Sequence, residues 1–270
     1  MAVIGVRLSR PVEFATRKSI RVLEHDLLVF RRGWFNYLLN GLTQPFMYLV
    51  AMGIGLGLYV NKNGGTPGGV PYLNYIAPAL MVTQAMLAGA FEAAWPIMAK
   101  INWTKTYHAA LNTPLGVQDL LAGDLMWIAF RAALLSMLFT TVIVALGAAS
   151  SPLIVLAVPV AVLTALSFAA PIMAFTATQE GDNGFNVLFR FGITPIFLFS
   201  GTFYPVEKLP LFMQPVAWLT PTYHGVAVAR SLSLGQVDPF GTAVHLTFLA
   251  AVTLAGFAAA RVTFRRRLVL

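Results

Sequence analysis

An all-α membrane protein with six transmembrane helices is what this sequence predicts, and three observations carry the prediction. Of its 270 residues, 58% are hydrophobic and only 10% are charged, with a mean hydropathy of +0.74. The apolar residues gather into six stretches near the roughly 20 residues that a helix needs to cross a bilayer. Lys and Arg crowd the two ends: Arg7, Arg10, Arg17, Lys18, Arg21, Arg31 and Arg32 precede the first stretch, and Arg261, Arg265, Arg266 and Arg267 follow the last. Basic residues beside spans are retained in the cytoplasm, and two ends on one side require an even number of crossings. The expectation is a multi-pass protein of the plasma (cytoplasmic) membrane with both termini cytoplasmic.

Residues 1–33 are expected to form a cytoplasmic interfacial helix. Ile20, Leu23, Leu27 and Phe30 recur at helical spacing while Arg17, Lys18, Arg21 and Glu24 take other faces, the pattern of an amphipathic helix lying in the membrane interface. A soluble helix packed on a partner shares that periodicity. A cleavable signal peptide is not expected, because ten charges fall in these 33 residues and no small-residue cleavage pattern follows a short apolar core.

The six-span domain then occupies 34–260. Span one covers 34–59, with Trp34 and Tyr37 as interfacial anchors and Pro45 as an interruption. Gly53 and Gly57 stand at a spacing that permits close helix approach or simply thins the helix end. Residues 61–69 form an external loop, span two covers 72–98, and the polar, aromatic stretch 100–116 faces the cytoplasm. Span three covers 120–146, with Asp119 and Asp124 at its start, where the helix dipole favours negative charge. A short external turn at 148–152 leads to span four at 153–177, a cytoplasmic connection at 179–186 and span five at 187–204. Pro205, Pro210, Pro215 and Pro221 then cut the chain into apolar pieces too short to cross. That segment is expected as a re-entrant external hairpin between spans five and six, covered by protein or water, with a short helix at 223–234. Span six at 240–260 ends in a basic cytoplasmic tail, 261–270. This arrangement leaves fourteen of the eighteen basic residues inside, and Lys62, Lys208 and Arg230 outside. No repeat of the inverted-repeat transporter kind is visible.

The charge of +8 does not point to nucleic acid, since it lies beside apolar spans where anionic headgroups are the nearer partner. Cysteine is absent, which excludes disulfides and thiolate chemistry. There is no phosphate-binding G-x-x-x-x-G-K-[ST] loop and no H-E-x-x-H pair. His25, His108, His224 and His245 are scattered without ligand spacing. No catalytic, cofactor-binding or metal residues are expected, and no room remains for a soluble catalytic domain.

Two charges fall within spans, Glu92 and Arg131, at depths that agree to within roughly 10 Å at 1.5 Å per residue. Either they line a transport route or they form an ion pair that locks spans two and three together. The pair is the preferred reading, because a satisfied pair needs no substrate.

Three stretches resemble the ABC-2 type exporter permeases, most nearly the branch that includes nodulation-factor (lipo-chitooligosaccharide) and antibiotic-resistance exporters. The first is the opening of span two, from Tyr72 to Leu80. The second is Phe91-Glu92, Lys105-Thr106-Tyr107, Leu111 to Leu115 and Ala122-Gly123-Asp124. The third is Phe199 to Pro205, Leu209-Pro210, Leu219 to His224 and Ala229-Arg230. Ala79 departs from the family, where many relatives place glycine after the proline. The resemblance implies a permease subunit with no ATPase site of its own. Its implied partners are an ABC ATPase subunit in two copies, which holds ATP and Mg, and a second permease chain in a homodimer or heterodimer. Membrane lipids surround it, and an amphipathic or lipid-linked substrate (lipo-oligosaccharide, glycolipid or drug) is exported. It also implies that Trp103, Thr104, Lys105, Thr106, Tyr107 and Pro114 form the ATPase-coupling loop. An external re-entrant segment with Gly201, Tyr204, Pro205, Pro210, Pro221 and Tyr223 would close the exit. Two rivals stay open. A proton-coupled transporter would use Glu92, Arg131 and His245, and an integral-membrane lipid enzyme would need an interfacial acid or histidine cluster.

Overall fold

A computed structural model of the chain describes residues 17–62 and 69–269. Arg7, Arg10 and residues 63–68 of the expected external loop lie outside the described residues, as do the side chains of Arg17, Tyr37 and Pro45. The described residues are helical throughout, joined by short turns. Four continuous helices are long and apolar enough to cross a membrane: Tyr72–Trp103, Val117–Ala145, Pro152–Thr176 and Pro239–Leu268.

The two other stretches expected as spans are interrupted. Helix α1 (Arg17–Tyr48) passes through a π-helical stretch, Leu49–Leu56, into α2 (Gly57–Lys62). Of the two spaced glycines, Gly53 sits at a close approach, whereas Gly57 has room for a side chain. A β-carbon on Gly53 would collide with Leu73, and Gly57 lies against the Tyr72 ring. The first expected boundary, at residue 33, is a kink inside α1, where Gly33 leaves helical geometry (φ −131°, ψ 19°). The face of α1 that packs inward is offset from the apolar stripe: Leu23, Leu27 and Phe30 of the stripe are half-buried, but its centre lies on polar residues. Ile20 is 46% exposed, whereas Ser19 and Asp26 are buried, Val22 fills the space left by Gly123, and Phe30 meets Trp127 at 5.8 Å. Two polar residues on the packed face disguised it in the hydrophobic pattern.

Helix α3 (Tyr72–Met98) is the most enclosed element and runs on through a π-helical turn, Ala99–Trp103. The short α4 (Thr106–Leu111) leads to α5 (Val117–Ala145), and a 3-10 turn at Pro152–Leu156 opens α6 (Ala157–Thr176). Small residues let these helices touch, as membrane packing favours. A β-carbon on Gly89 of α3 would stand 2.7 Å from the Ala165 carbonyl oxygen of α6. The expected fifth span is α7 (Asn183–Leu188), a π-helical turn Phe189–Ile193, and α8 (Thr194–Phe199).

The proline-rich segment builds α9 (Gln214–Trp218) and α10 (Pro221–Leu234). Pro221 sits at the first position of α10, where its missing N–H costs nothing, and Gly235 ends the helix at φ +73°. α10 wedges between α3 and α6, with Gly225 against Thr164 and Val82. Helix α11 (Pro239–Leu268) starts on Asp238, whose carboxylate accepts from the amides of Phe240 and Gly241 at 3.1 and 2.9 Å. The basic tail is its last two turns, since Arg265, Arg266 and Arg267 favour the negative end of the helix dipole.

Candidate functional site

At the end of the bundle where the basic residues gather, the stretch 99–116 is tied to two other helices. Pro96 inside α3 lacks an amide hydrogen, and the ladder loosens into the π-helical turn just beyond it. Lys105, with φ +51°, then reverses the chain into α4. Lys100 points inward: its Nζ lies 2.8 Å from Asp26 Oδ2 on α1 and 2.6 Å from Asp124 Oδ1 on α5. The Tyr107 hydroxyl donates to the other Asp124 oxygen, and its ring packs on Phe264 of α11 at 6.0 Å. Burial, then the Asp124 carboxylate, push the Tyr107 phenol well above its ordinary range, so it stays a donor. Asp119 caps α5 by accepting from the Gly116 amide at 2.9 Å and from Ser19 Oγ at 3.4 Å. Lys18 Nζ reaches the Pro114 carbonyl at 3.0 Å.

The six residues read as one coupling loop therefore divide. Trp103 (63% exposed), Thr104, Lys105 and Pro114 face outward and Thr106 is half-buried, but Tyr107 is 2% exposed and holds the loop from within. Trp103, Lys105 and His108 line an open cleft of about 490 Å³ with Glu180 and Arg267. Asn102 Nδ2 donates to the Glu180 carbonyl at 2.9 Å, which joins this loop to the connection after α6. Asp124 is not at the helix start in the sense expected: it is a buried acceptor two turns in, and only Asp119 caps.

Further into the bundle, Glu92 on α3 and Arg131 on α5 form an ion pair. Trp127 Nε1 donates to Glu92 Oε2 at 3.4 Å, and the Arg131 guanidinium lies 5.9 Å from the Trp127 ring centre. The pair shares a cavity of about 200 Å³ with Asp26, Lys100 and Asp124. The two charges thus pair with each other and also face a small polar space.

The opposite end is held together by different means. Arg230 of α10 donates through Nε to the Tyr75 carbonyl at 3.2 Å and through Nη2 to the Gly201 carbonyl at 2.8 Å. Its guanidinium lies 3.7 Å from the centre of the Tyr75 ring. Tyr72 OH donates to the Phe203 carbonyl at 3.2 Å, and Ser200 and Thr220 hydroxyls meet at 2.9 Å. Tyr204 and Tyr223 pack on a small cluster of Val206, Leu209 and Ala217. Gly201 adopts φ +82°, Pro205 is half-buried, and Pro210 is exposed. His224 and His245 are brought together, with their Nδ1 atoms 2.7 Å apart, and His224 Nε2 donates to the Trp218 carbonyl at 2.9 Å.

Sequence reading missed the Asp26–Lys100–Asp124 cluster, the histidine contact and the role of Arg230. One signal was available: Asp26 interrupts an otherwise apolar face. Among the described residues, no group of three or more His, Asp or Glu side chains is placed to hold a metal.

The family model described as ABC-2 type transporter matches residues 20–234. The chain is similar to Nodulation protein J of Rhizobium leguminosarum bv. trifolii, 32% identical over 217 residues that cover 80% of this chain and 81% of that protein. It is also similar to Nodulation protein J of Sinorhizobium fredii, 30% identical over 85% of this chain and 86% of that protein. With Nodulation protein J of Rhizobium meliloti it shares 30% identity over 92% of this chain and 93% of that protein.

Proposed function

The chain belongs to the ABC-2 type transporter family, the membrane component of ABC transporters, and we propose that it is the permease through which an exporter moves lipo-oligosaccharide-type amphipathic substrates. Energy comes from a separate ABC ATPase subunit that uses ATP and Mg. Two copies of that subunit serve a pair of permease chains. The interrupted helices at 34–62 and 183–199 complete six crossings, α1 up to Gly33 lies in the interface, and α9 with the start of α10 forms a re-entrant hairpin. The basic end faces the cytoplasm, with both termini there.

The observation that carries this reading is the bonding of the 99–116 loop to both α1 and α5 through Lys100, Tyr107 and Asp124. A chain powered from outside needs a contact whose energy differs between the nucleotide states of its partner. Trp103, Lys105 and His108 offer the outward contact, and the cleft they share with Glu180 and Arg267 supplies relief and charge. A push there reaches three elements at once, because the loop continues α3 and its inner residues grip α1 and α5. Tilting those helices against the second permease chain opens the pathway between the two. Glu92 and Arg131 keep α3 and α5 moving together.

The test is reconstitution of the chain with its ATPase in vesicles. Movement of a lipid-linked oligosaccharide should require both subunits and ATP. Movement by the permease chain alone, or driven by a proton gradient without ATP, would refute the reading.

A further inference from the structure

We propose that His224 and His245 form a proton-operated latch between α10 and α11 at the Arg230 end of the bundle, closed near neutral pH and released in acid. The two histidines take no part in the force-bearing cluster at the basic end. Their outward placement rests on the permease reading.

The geometry fixes where the protons sit. A carbonyl can only accept, so His224 carries its proton on Nε2, 2.9 Å from the Trp218 oxygen, and a neutral His224 turns a bare Nδ1 toward α11. His245 Nδ1 lies 2.7 Å from that atom and supplies the proton that closes the contact. One added proton leaves the latch shut. Taken up at His245 Nε2, it keeps the Nδ1–H···Nδ1 bond in place and makes it charge-assisted. A second added proton has only His224 Nδ1 to occupy. Two N–H groups then face each other, and two cations stand with ring centres 4.9 Å apart. Attraction turns to repulsion at that single step.

The surroundings let both rings titrate and give α10 somewhere to go. Each histidine is only half-buried. On α11, Phe248 stacks on His224 at 4.0 Å, and Asp238 acts on His245 through its charge. On α10, the Tyr223 ring meets the two imidazoles edge-on at 5.4 and 5.9 Å, and Glu207 and Arg230 act on its phenol from beyond. Among the described residues, the histidine that pairs with a carboxylate is His25, so neither ring of the latch has a counter-ion in contact to absorb its charge. A cavity of about 320 Å³ lies between α3 and α10, lined by Tyr75, Tyr223 and Arg230, which leaves α10 space to move away from α11. Release is expected below about pH 6, because an ordinary imidazole ionises near pH 6.5 and an adjacent like charge opposes the second ionisation.

The experiment uses the full chain with its ATPase in lipid nanodiscs. Spin labels go on Leu219→Cys and Val244→Cys, exposed positions beside the latch in a chain without native cysteine, and nitrogen shifts of labelled histidine show when both rings are protonated. The label separation should hold steady from about pH 8 to 6.5 and lengthen by about pH 4.5. His245→Asn keeps an amide that can donate to His224 Nδ1 or accept from it, yet takes up no proton, so its separation should stay constant throughout. No lengthening in the native chain once both rings are protonated, or the same lengthening in His245→Asn, overturns the proposal. In vesicles held neutral on the ATPase side, acidifying the opposite side to about pH 5 should raise ATP-driven export of a lipid-linked oligosaccharide by about fivefold, the low end of coupling between sites, and leave His245→Asn unchanged. Equal responses, or a fall in the native chain alone, overturn the latch. Absence of all ATP-driven export, with the pH-dependent separation intact, defeats the permease reading alone.

Discussion

The two ends of the bundle satisfy their charges in opposite ways. At the basic end, opposite charges meet across three helices: Lys100 sits between Asp26 and Asp124, and Tyr107 adds a fourth partner. At the other end the half-buried cation, Arg230, is held by backbone carbonyls and an aromatic ring, and the Tyr75 and Thr202 hydroxyls have no hydrogen-bond partner among the described residues. A multidentate charge cluster gives a stiff joint, because moving any member leaves an uncompensated charge behind. Carbonyl contacts around an open cavity allow rearrangement at lower cost. The difference fits a molecule that takes up force at one end and opens at the other.

Four sets of substitutions probe this contrast, from the largest expected effect to the smallest. Asp124→Ala should destabilise the folded chain by about 3–5 kcal/mol, since Lys100 and the Tyr107 hydroxyl lose their shared buried partner. Thermal unfolding in detergent measures it, and a melting temperature equal to that of the native chain would show that the cluster stiffens nothing. Glu92→Arg and Arg131→Glu should each cost about 2–3 kcal/mol, because both groups keep some exposure. The double exchange should recover most of that loss, and failure to recover with normal membrane insertion would argue against direct pairing. Tyr107→Phe should cost about 1.5–3 kcal/mol, the value of a hydrogen bond to a charged group, and should lower substrate-stimulated ATP hydrolysis together with stability. Trp103→Ala and Lys105→Ala should change stability by no more than about 0.5 kcal/mol while reducing that stimulation as strongly. Equal stimulation in these surface variants would remove the outer face of the loop from any coupling role.

What the sequence disclosed was whatever repeats locally. The long apolar helices and the basic bias at both ends are properties of short windows, and α3, α5, α6 and α11 begin within a few residues of their expected starts. Pro221 and the short helix after it were also legible, because proline at a helix start is a local device. The offset of the inward face of α1 onto Ser19 and Asp26 was not, since the contact with α5 depends on Val22 meeting Gly123, more than 90 residues away. Lys100 meets partners 74 and 24 residues distant, and no periodicity encodes such meetings. Asp124 looked like a helix-start residue because Asp119 beside it is one. Arg230 was counted as an outside charge, and its grip on two carbonyls leaves no trace in residue type. Tyr107 was grouped with its exposed neighbours, since one turn of helix separates outward from inward and the reversal at Lys105 sets that phase.

The absence of cysteine permits a direct reading of which end meets the ATPase. Single variants Trp103→Cys and Leu211→Cys, the latter in the exposed turn between Pro210 and α9 at the Arg230 end, each in the assembled transporter, are treated with a short bifunctional maleimide, and cross-links to the ATPase subunit are counted. Trp103→Cys should cross-link, more in one nucleotide state than in another, and Leu211→Cys should not. A cross-link from position 211, or none from position 103 while the ATPase remains bound, would contradict the assignment of the basic end as the place where force enters.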